Sequence, residues 1–370
     1  MAYFYYHSIG QYPGKEAALA AALQEFAGYW SAETNAQWQN LMAARGEYVS
    51  LWSQLIDAPE GSVTAAENVT QALYSVLGAL PSEMLQGRKL LVAADCFPSL
   101  HFLLAGLAPR LGFTLETVPV RQGESWVRGE DMLDAWDADV GVALLTWITS
   151  TSSHRCDIDA LVARGREMGS VVGVDITQGA GLLPFSVAET GCDFAVSTSL
   201  KWLCGPPGAG MLYMRPELIE QCEPELRGWF SQPDPFNWDI TKFSYAPDAR
   251  RFDHGTPAAL PNLAALPALR WHAEQDHAAL ARHTYALSER LIEVMDRHDL
   301  PLASPRAAES RGGSVMAVLR PDRDAGALAA ALLERGIVCD NRSQVLRFSP
   351  GVVTTEEDVD TLDAALAELL

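Results

Sequence analysis

The sequence is poor in basic residues. Only 27 Lys and Arg stand against 47 Asp and Glu among 370 residues, a formal charge of −20. Nucleic acids and anionic membranes attract proteins through basic surfaces, so neither is an expected partner. Long apolar runs are also missing: no 18-residue apolar segment occurs, and the N-terminus lacks a basic stretch followed by an apolar one. We therefore expect a chain that is neither secreted nor inserted in a membrane.

Paired or clustered cysteines are absent as well. The six cysteines are scattered, without CxxC or zinc-ligand spacing: Cys96, Cys156, Cys192, Cys204, Cys222 and Cys339. This pattern predicts no metal site and favours a reducing, cytoplasmic location. Internal repeats and low-complexity linkers are missing too, so the chain is expected to fold into ordinary globular domains.

What is present is an alternation of apolar strands and helical stretches. Residues 140–147 read VGVALLTW, a continuous apolar run typical of a strand buried on both faces of a mostly parallel sheet. Thr64-Ala-Ala-Glu67 resembles a capping box and predicts a helix from there to Leu80. A strand–helix–strand–strand–helix pattern follows residue 256. We expect a large α/β domain at 50–255 and a small domain at 256–370, which the segment 1–49 joins.

The stretch 175–210 carries the strongest chemical signal. Asp175 ends a predicted strand, and Lys201 lies in a hydroxyl-rich turn after the next strand. An amine desolvated beside Trp202 would have a lowered pKa, as a Schiff-base nucleophile requires, and an acid nearby could keep a pyridine nitrogen protonated. On spacing alone, an ordinary surface lysine is equally compatible with the pattern.

Three motifs in this stretch resemble the cofactor segment of fold-type I pyridoxal-phosphate enzymes of the aminotransferase class V superfamily, in its kynureninase-like branch. They are Asp175-x-x-Gln178, the TSLKW of residues 198–202 and the GPPG of residues 205–208. The resemblance implies the fold-type I α/β fold, with a seven-stranded mostly parallel sheet in the large domain and an α+β small domain. It makes pyridoxal 5'-phosphate the expected cofactor.

The same resemblance assigns roles to individual residues. Lys201 corresponds to the Schiff-base lysine and Asp175 to the acid under the pyridine nitrogen, and both are the expected catalytic residues. Gln178 corresponds to a donor to the phenolic oxygen. Thr198 and Ser199 fall where the superfamily places phosphate-binding hydroxyls.

Further cofactor contacts are implied outside the central stretch. Asn68 and Thr70 match a phosphate motif at the start of a helix, where backbone N–H groups favour an anion. Phe97, followed by Pro98-Ser99 as in kynureninases, corresponds to an aromatic ring stacked on the cofactor. Trp229 and Thr256 correspond to residues that complete the phosphate site from the neighbouring subunit, which implies a homodimer with active sites between the chains.

The expected substrate contacts are Arg347, His7 and Trp147. Arg347 lies in an L-R-F-x-x-P motif whose arginine clamps the α-carboxylate of the substrate, and Arg342 is a weaker second candidate. His7 stands in the opening segment of the branch, where a substrate contact and a plain surface histidine both stay open. Trp147 stands in a loop expected to face the cofactor ring.

Three departures argue against kynurenine as the substrate. Kynureninases usually carry histidines at the positions of Trp147 and Gln178, and a tyrosine at the position of Leu200. A leucine can neither bind phosphate nor transfer a proton. We therefore expect kynureninase-like side-chain cleavage of a different L-amino acid of specialised metabolism. The alternatives are a class V aminotransferase and a cofactor-binding homologue without activity.

Overall fold

A seven-stranded sheet forms the centre of the computed structural model, which describes all residues 1–370. Its strands lie in the order β2-β8-β7-β6-β5-β3-β4. Five neighbouring strands are parallel, whereas β8 and the edge strand β2 run antiparallel to their neighbours. The strands are β2 (Val63–Ala66), β3 (Lys89–Ala93), β4 (Thr114–Val118), β5 (Val140–Thr146), β6 (Val171–Asp175), β7 (Phe194–Thr198) and β8 (Gly210–Met214).

The predicted sheet and fold class are confirmed. Every residue of β5, β6, β7 and β8 is buried, as the continuous apolar runs predicted. One expectation was wrong: residues 63–66 form the edge strand β2, and the following helix begins at Val69 with Asn68 as its cap. Thr64 fails as a cap because its hydroxyl donates to Asp253 Oδ1 at 2.7 Å, a partner that is distant in sequence.

The chain has twelve α-helices, most of which pack on the two faces of the sheet or link its strands, while the last three pack with the short strands of the C-terminal part. The helices are α1 (Lys15–Trp30), α2 (Gln37–Leu55), α3 (Val69–Leu77), α4 (Pro98–Leu111), α5 (Gly129–Ala135), α6 (Ile158–Met168), α7 (Val187–Thr190), α8 (Pro216–Ile219), α9 (Ala259–Ala273), α10 (His277–Arg297), α11 (Ala325–Glu334) and α12 (Glu356–Leu369). Two apolar clusters, one on each side of the sheet, form the core. None of the helices combines the length and apolar character needed to cross a lipid bilayer.

A second group of short strands forms the C-terminal part of the chain. β9 (Val315–Val318), β11 (Asp340–Arg342) and β12 (Val345–Phe348) make an antiparallel sheet, and β1 (Ala2–Tyr3) pairs in parallel with β10 (Ile337–Val338). The first residues thus join the C-terminal strands, while α1 and α2 pack on α9. The division at 50–255 and 256–370 stays a prediction: α2 continues past residue 49, and α2 and α9 contribute Trp52 and Leu266 to an apolar cluster of the large sheet.

Candidate active site

The carboxyl ends of three parallel strands meet above the sheet and frame a cavity of about 610 Å³. Thr146 ends β5, Asp175 ends β6 and Thr198 ends β7, and all three residues line the cavity. In open α/β sheets ligands bind at this edge, because the strands present their loops there. The fold therefore brings residues that are far apart in sequence into one site.

Lys201 extends into this cavity from the turn after β7. Its Nζ lies 5.3 Å from the centroid of the Phe97 ring and makes no hydrogen bond. The pKa of Lys201 is lowered from 10.5 to about 8: burial lowers it most, Asp175 raises it, and the charges of Arg347 and Arg342 lower it. The structure thus supplies the desolvated amine that the sequence predicted.

Asp175 lies at the floor of the cavity and is 6% exposed. Its Oδ1 accepts a hydrogen bond from the backbone N–H of Thr177 at 3.0 Å. Burial raises the pKa of Asp175, and the charge of Lys201 lowers it. A protonated pyridine nitrogen is a suitable partner for this carboxylate, because an opposite charge offsets the desolvation of a buried acid.

The N-terminus of α3 forms the opposite end of the cavity. Asn68 and Thr70 line it together with Thr198 and Gly208. Asn68 Oδ1 accepts from the backbone N–H of Gln71 at 2.9 Å, so its side chain caps the helix. The helix N-terminus and two hydroxyls fit a phosphate group.

Ser199 does not belong to this set. Its side chain is fully buried behind the turn, where Oγ donates to the backbone oxygen of Ala209 at 2.9 Å. The position of Ser199 therefore does not support the expected phosphate contact, although Thr198 next to it lines the cavity.

Phe97 and Gln178 also line the cavity. Phe97 precedes α4 and remains 40% exposed, so its face is available to a flat ring. Gln178 is fixed from two sides: Nε2 donates to the backbone oxygen of His7 at 3.0 Å, and Oε1 accepts from Trp202 Nε1 at 3.1 Å. One N–H of Gln178 stays available to a ligand.

Arg347 lies beside the cavity on β12. Its Nη1 donates to the backbone oxygen of Ser150, a cavity residue, at 3.1 Å. The guanidinium also forms a bidentate ion pair with Asp340. His7 is 2% exposed and hydrogen-bonded to Asp340, so the surface alternative for His7 was wrong.

Three predicted residues lie apart from the cavity. Trp147 is buried against Phe185 on another side of the loop, so its position does not support a substrate contact. Thr256 lines a smaller neighbouring cavity of about 120 Å³ that shares Glu67 and Gly208 with the larger one. Trp229 belongs to an aromatic cluster on the surface.

Some cavity residues were not predicted from the sequence. Thr146 is the clearest, because its buried Oγ1 has no partner in the chain and faces the site of a ligand. Asp340 was missed as the partner of Arg347. No spacing in the sequence indicates this pair, because it depends on the pairing of β11 with β12, which places Asp340 opposite Arg347.

Taken together, the donor set fits pyridoxal 5'-phosphate. A buried carboxylate, an exposed aromatic face, a desolvated lysine and a helix N-terminus surround one cavity, and the unpartnered Thr146 hydroxyl offers a further hydrogen bond. Each group has the chemistry that one part of a phosphorylated pyridine aldehyde requires.

Comparisons with known proteins agree with this geometry. The family model described as aminotransferase class V matches residues 19–362. The kynureninase of Deinococcus radiodurans is 31% identical over 90% of this chain and 80% of its own length, and that of Pseudomonas fluorescens is 27% identical over 98% and 88%. Among solved structures, a mutant of C-DES with glycine covalently linked to the PLP cofactor superposes with a TM-score of 0.88. It is 20% identical, over 99% of this chain and 96% of that chain.

Proposed function

This chain belongs to the aminotransferase class V family of pyridoxal-phosphate-dependent enzymes, and we propose that it cleaves the side chain of an L-amino acid other than kynurenine. The observation that carries the proposal is that Lys201, Phe97 and Asp175 line one cavity, and that Arg347, an arginine suited to a carboxylate, is bonded to the cavity residue Ser150. Kynureninase relatives over most of the chain favour cleavage of the side chain.

Three residues of the chain have separate roles in the proposed reaction. Arg347 holds the α-carboxylate and so fixes the direction of the Cα–H bond. Lys201, in its uncharged form, would take the Cα proton as general base. Asp175 would hold the ring nitrogen of the cofactor in its protonated form. Pyridoxal phosphate, when bound, supplies an electron-poor ring that stabilises the negative charge left at Cα.

Leu200 and Gln178 support a substrate other than kynurenine. Both line the cavity, and neither side chain can donate or accept a proton as a tyrosine or a histidine can. Protonation of the departing fragment must then come from Lys201, from water or from the substrate itself. Rapid release of anthranilate and alanine from kynurenine would refute this part of the proposal.

Transamination is the second candidate. A relative from Bacillus subtilis described as the uncharacterized aminotransferase YcbU is 26% identical over 85% of this chain. Gln178, in a D-x-x-Q motif shared with class V aminotransferases, favours it. The initial proton transfer by Lys201 is common to both reactions, so the same residues serve either outcome.

The deciding experiment mixes the purified holoenzyme with a pool of L-amino acids that includes kynurenine and cysteine conjugates. Side-chain cleavage predicts continuous release of ammonia, alanine or pyruvate. Transamination predicts one equivalent of a keto acid per active site until an acceptor is added. If no imine absorbance is visible before or after mixing, the assignment of Lys201 as the Schiff-base lysine is wrong, and the proposal falls with it.

We also propose that the functional unit is a homodimer. Four exposed aromatic side chains, 42% to 71% accessible, lie on one surface: Trp30, Trp38, Phe236 and Trp238. Ring contacts of about 6 Å connect them through Trp229. Exposed apolar patches of this kind mark association surfaces. The small cavity at Thr256, which opens next to the phosphate end, could receive residues of a second copy.

A further inference from the structure

Arg347 already has an acidic partner inside the chain. Its Nε donates to Asp340 Oδ1 at 2.7 Å, and its Nη2 donates to Asp340 Oδ2. The pairing follows from the hairpin of β11 and β12, in which Asp340 lies directly opposite Arg347. Side chains of directly opposite residues lie on the same face of the hairpin, so the ion pair belongs to the fold itself.

This ion pair leaves room for one further carboxylate. A guanidinium has five N–H groups. Two of them bind Asp340, and a third, on Nη1, binds the backbone oxygen of Ser150 at 3.1 Å. One N–H remains on each terminal nitrogen, so two donors are left for a further carboxylate. Asp340 therefore does not use up the donors of Arg347.

Asp340 is in turn fixed by a buried histidine. His7 Nε2 lies 2.9 Å from Asp340 Oδ1, and Nδ1 lies 2.6 Å from Ser349 Oγ. The hydroxyl of Ser349 is also hydrogen-bonded to the hydroxyl of Ser314, with an Oγ–Oγ distance of 2.6 Å. Both ring nitrogens of His7 are thus occupied, and His7 cannot itself bind a substrate group while these contacts hold. His7 contacts Arg347 only through Asp340, so any role in substrate binding is indirect.

We propose that Asp340 and His7 are positioning residues for the carboxylate of the substrate. His7 fixes Asp340, Asp340 fixes the guanidinium plane of Arg347, and Arg347 is thereby held next to Ser150, which lines the cavity. The inference rests on the proposed function, because it assigns the carboxylate of an amino acid to Arg347.

Substitution of His7 tests the idea more cleanly than substitution of Asp340. Asp340→Asn would remove a negative charge next to the incoming carboxylate, and that change alone strengthens anion binding. Burial lowers the pKa of His7 to about 4, so the ring is uncharged at pH 8. His7→Ala therefore removes the hydrogen bond to Asp340 without changing the charge of the site.

The experiment titrates the holoenzyme at pH 8 with propionate and with propionamide, which differ in the carboxylate alone, and measures binding by calorimetry. We expect the wild type to prefer propionate. His7→Ala should weaken propionate binding about tenfold, roughly the loss of one charge-assisted hydrogen bond, and leave propionamide unchanged. His7→Gln, which keeps an N–H near the position of Nε2, should restore binding to within about threefold.

The chain contains a matched control far from the cavity. His298 Nε2 lies 2.7 Å from Asp363, which also pairs with Arg297 at 2.8 Å, on the surface between α10 and α12. His298→Ala should leave propionate binding unchanged. Equal propionate affinity in His7→Ala and wild type, or no preference of the wild type for propionate, would overturn the inference. Because propionate undergoes no reaction, this result is independent of amino-acid turnover, which judges the proposed function.

Discussion

Lys201 illustrates how a single environment prepares a residue for its role. The side chain is enclosed by the Phe97 ring and the strand ends, and it lacks a hydrogen-bond partner. Desolvation penalises the ammonium form, and the two arginines of the β11–β12 hairpin, Arg342 and Arg347, add to this penalty. Asp175 opposes both effects, so the pKa remains at about 8.

The lowered pKa predicts how the cofactor-free chain captures pyridoxal phosphate. Only the neutral amine attacks an aldehyde, and at pH 7 roughly one molecule in ten carries it when the pKa is about 8. The capture rate should therefore rise from pH 6.5 and level off above about pH 9, as measured by stopped-flow absorbance. Asp175→Asn should shift the midpoint to lower pH. A rate that still rises at pH 10 would mean that Lys201 has an ordinary pKa.

The positions of cavity residues were predictable from the sequence where a motif fixed the backbone and a strand end fixed the direction of the side chain. Lys201, Asp175 and Thr198 are of this kind, because each ends or follows a buried parallel strand. The position of Ser199 was missed, because the turn after β7 buries its hydroxyl against the backbone oxygen of Ala209, and the local sequence does not show this contact. The partner of Arg347 was missed because strand pairing, which the sequence does not show, sets it.

At the scale of elements, the N-terminal segment and the Lys201 turn form one unit. The backbone N–H of Gly10 donates to the oxygen of Leu200 at 3.1 Å. A Cβ added at Gly10 would lie 1.9 Å from the backbone oxygen of Lys201 and 2.7 Å from Cys204 Sγ. Glycine is therefore required for this close approach, and the segment cannot shift without moving the turn that carries Lys201.

Gly10→Ala should destabilise the protein by about 2 kcal/mol, the usual range for overpacking against backbone. Gly46→Ala provides the matched control, because Gly46 lies within α2 and a Cβ added there would meet no atom within 4 Å. It should raise the free energy of unfolding by about 0.5–1 kcal/mol through helix propensity. Urea unfolding of both variants checks the pair. Equal effects of the two substitutions would show that the segment does not pack on the turn.

Elements were predictable where local patterns and tertiary structure agree. The buried strands of the sheet have no solvent face, and their apolar runs are unambiguous. Residues 63–66 misled the prediction, because a local capping pattern competed with pairing of β2 to β8, which lies about 150 residues later in the sequence. The tertiary hydrogen bond of Thr64 to Asp253 shows which interaction prevails.

At the scale of the whole molecule, the net charge opposes association of two copies, whereas the aromatic surface favours it. Each chain carries a formal charge of −20, which repels a second copy. The aromatic surface around Trp38 and Trp238 favours binding of a second copy, because burying such side chains removes apolar surface area from contact with water. Added salt screens the repulsion and leaves the apolar attraction, so dimerisation should strengthen as ionic strength rises.

The cytoplasmic location stays a prediction.

The double substitution Phe236→Ala and Trp238→Ala tests the proposed interface. These side chains are 66% and 71% exposed, so their removal disturbs little within one chain. If they are central to the interface, the dissociation constant of the dimer should rise at least about tenfold, because large aromatic residues dominate such contacts. Sedimentation velocity measures the shift, and cofactor content should fall with it, since the phosphate end of the site is then incomplete. Leu333→Ala, at an equally accessible position on α11, should change neither quantity. A wild-type chain that sediments as a monomer with full cofactor would refute the dimer and the shared site together.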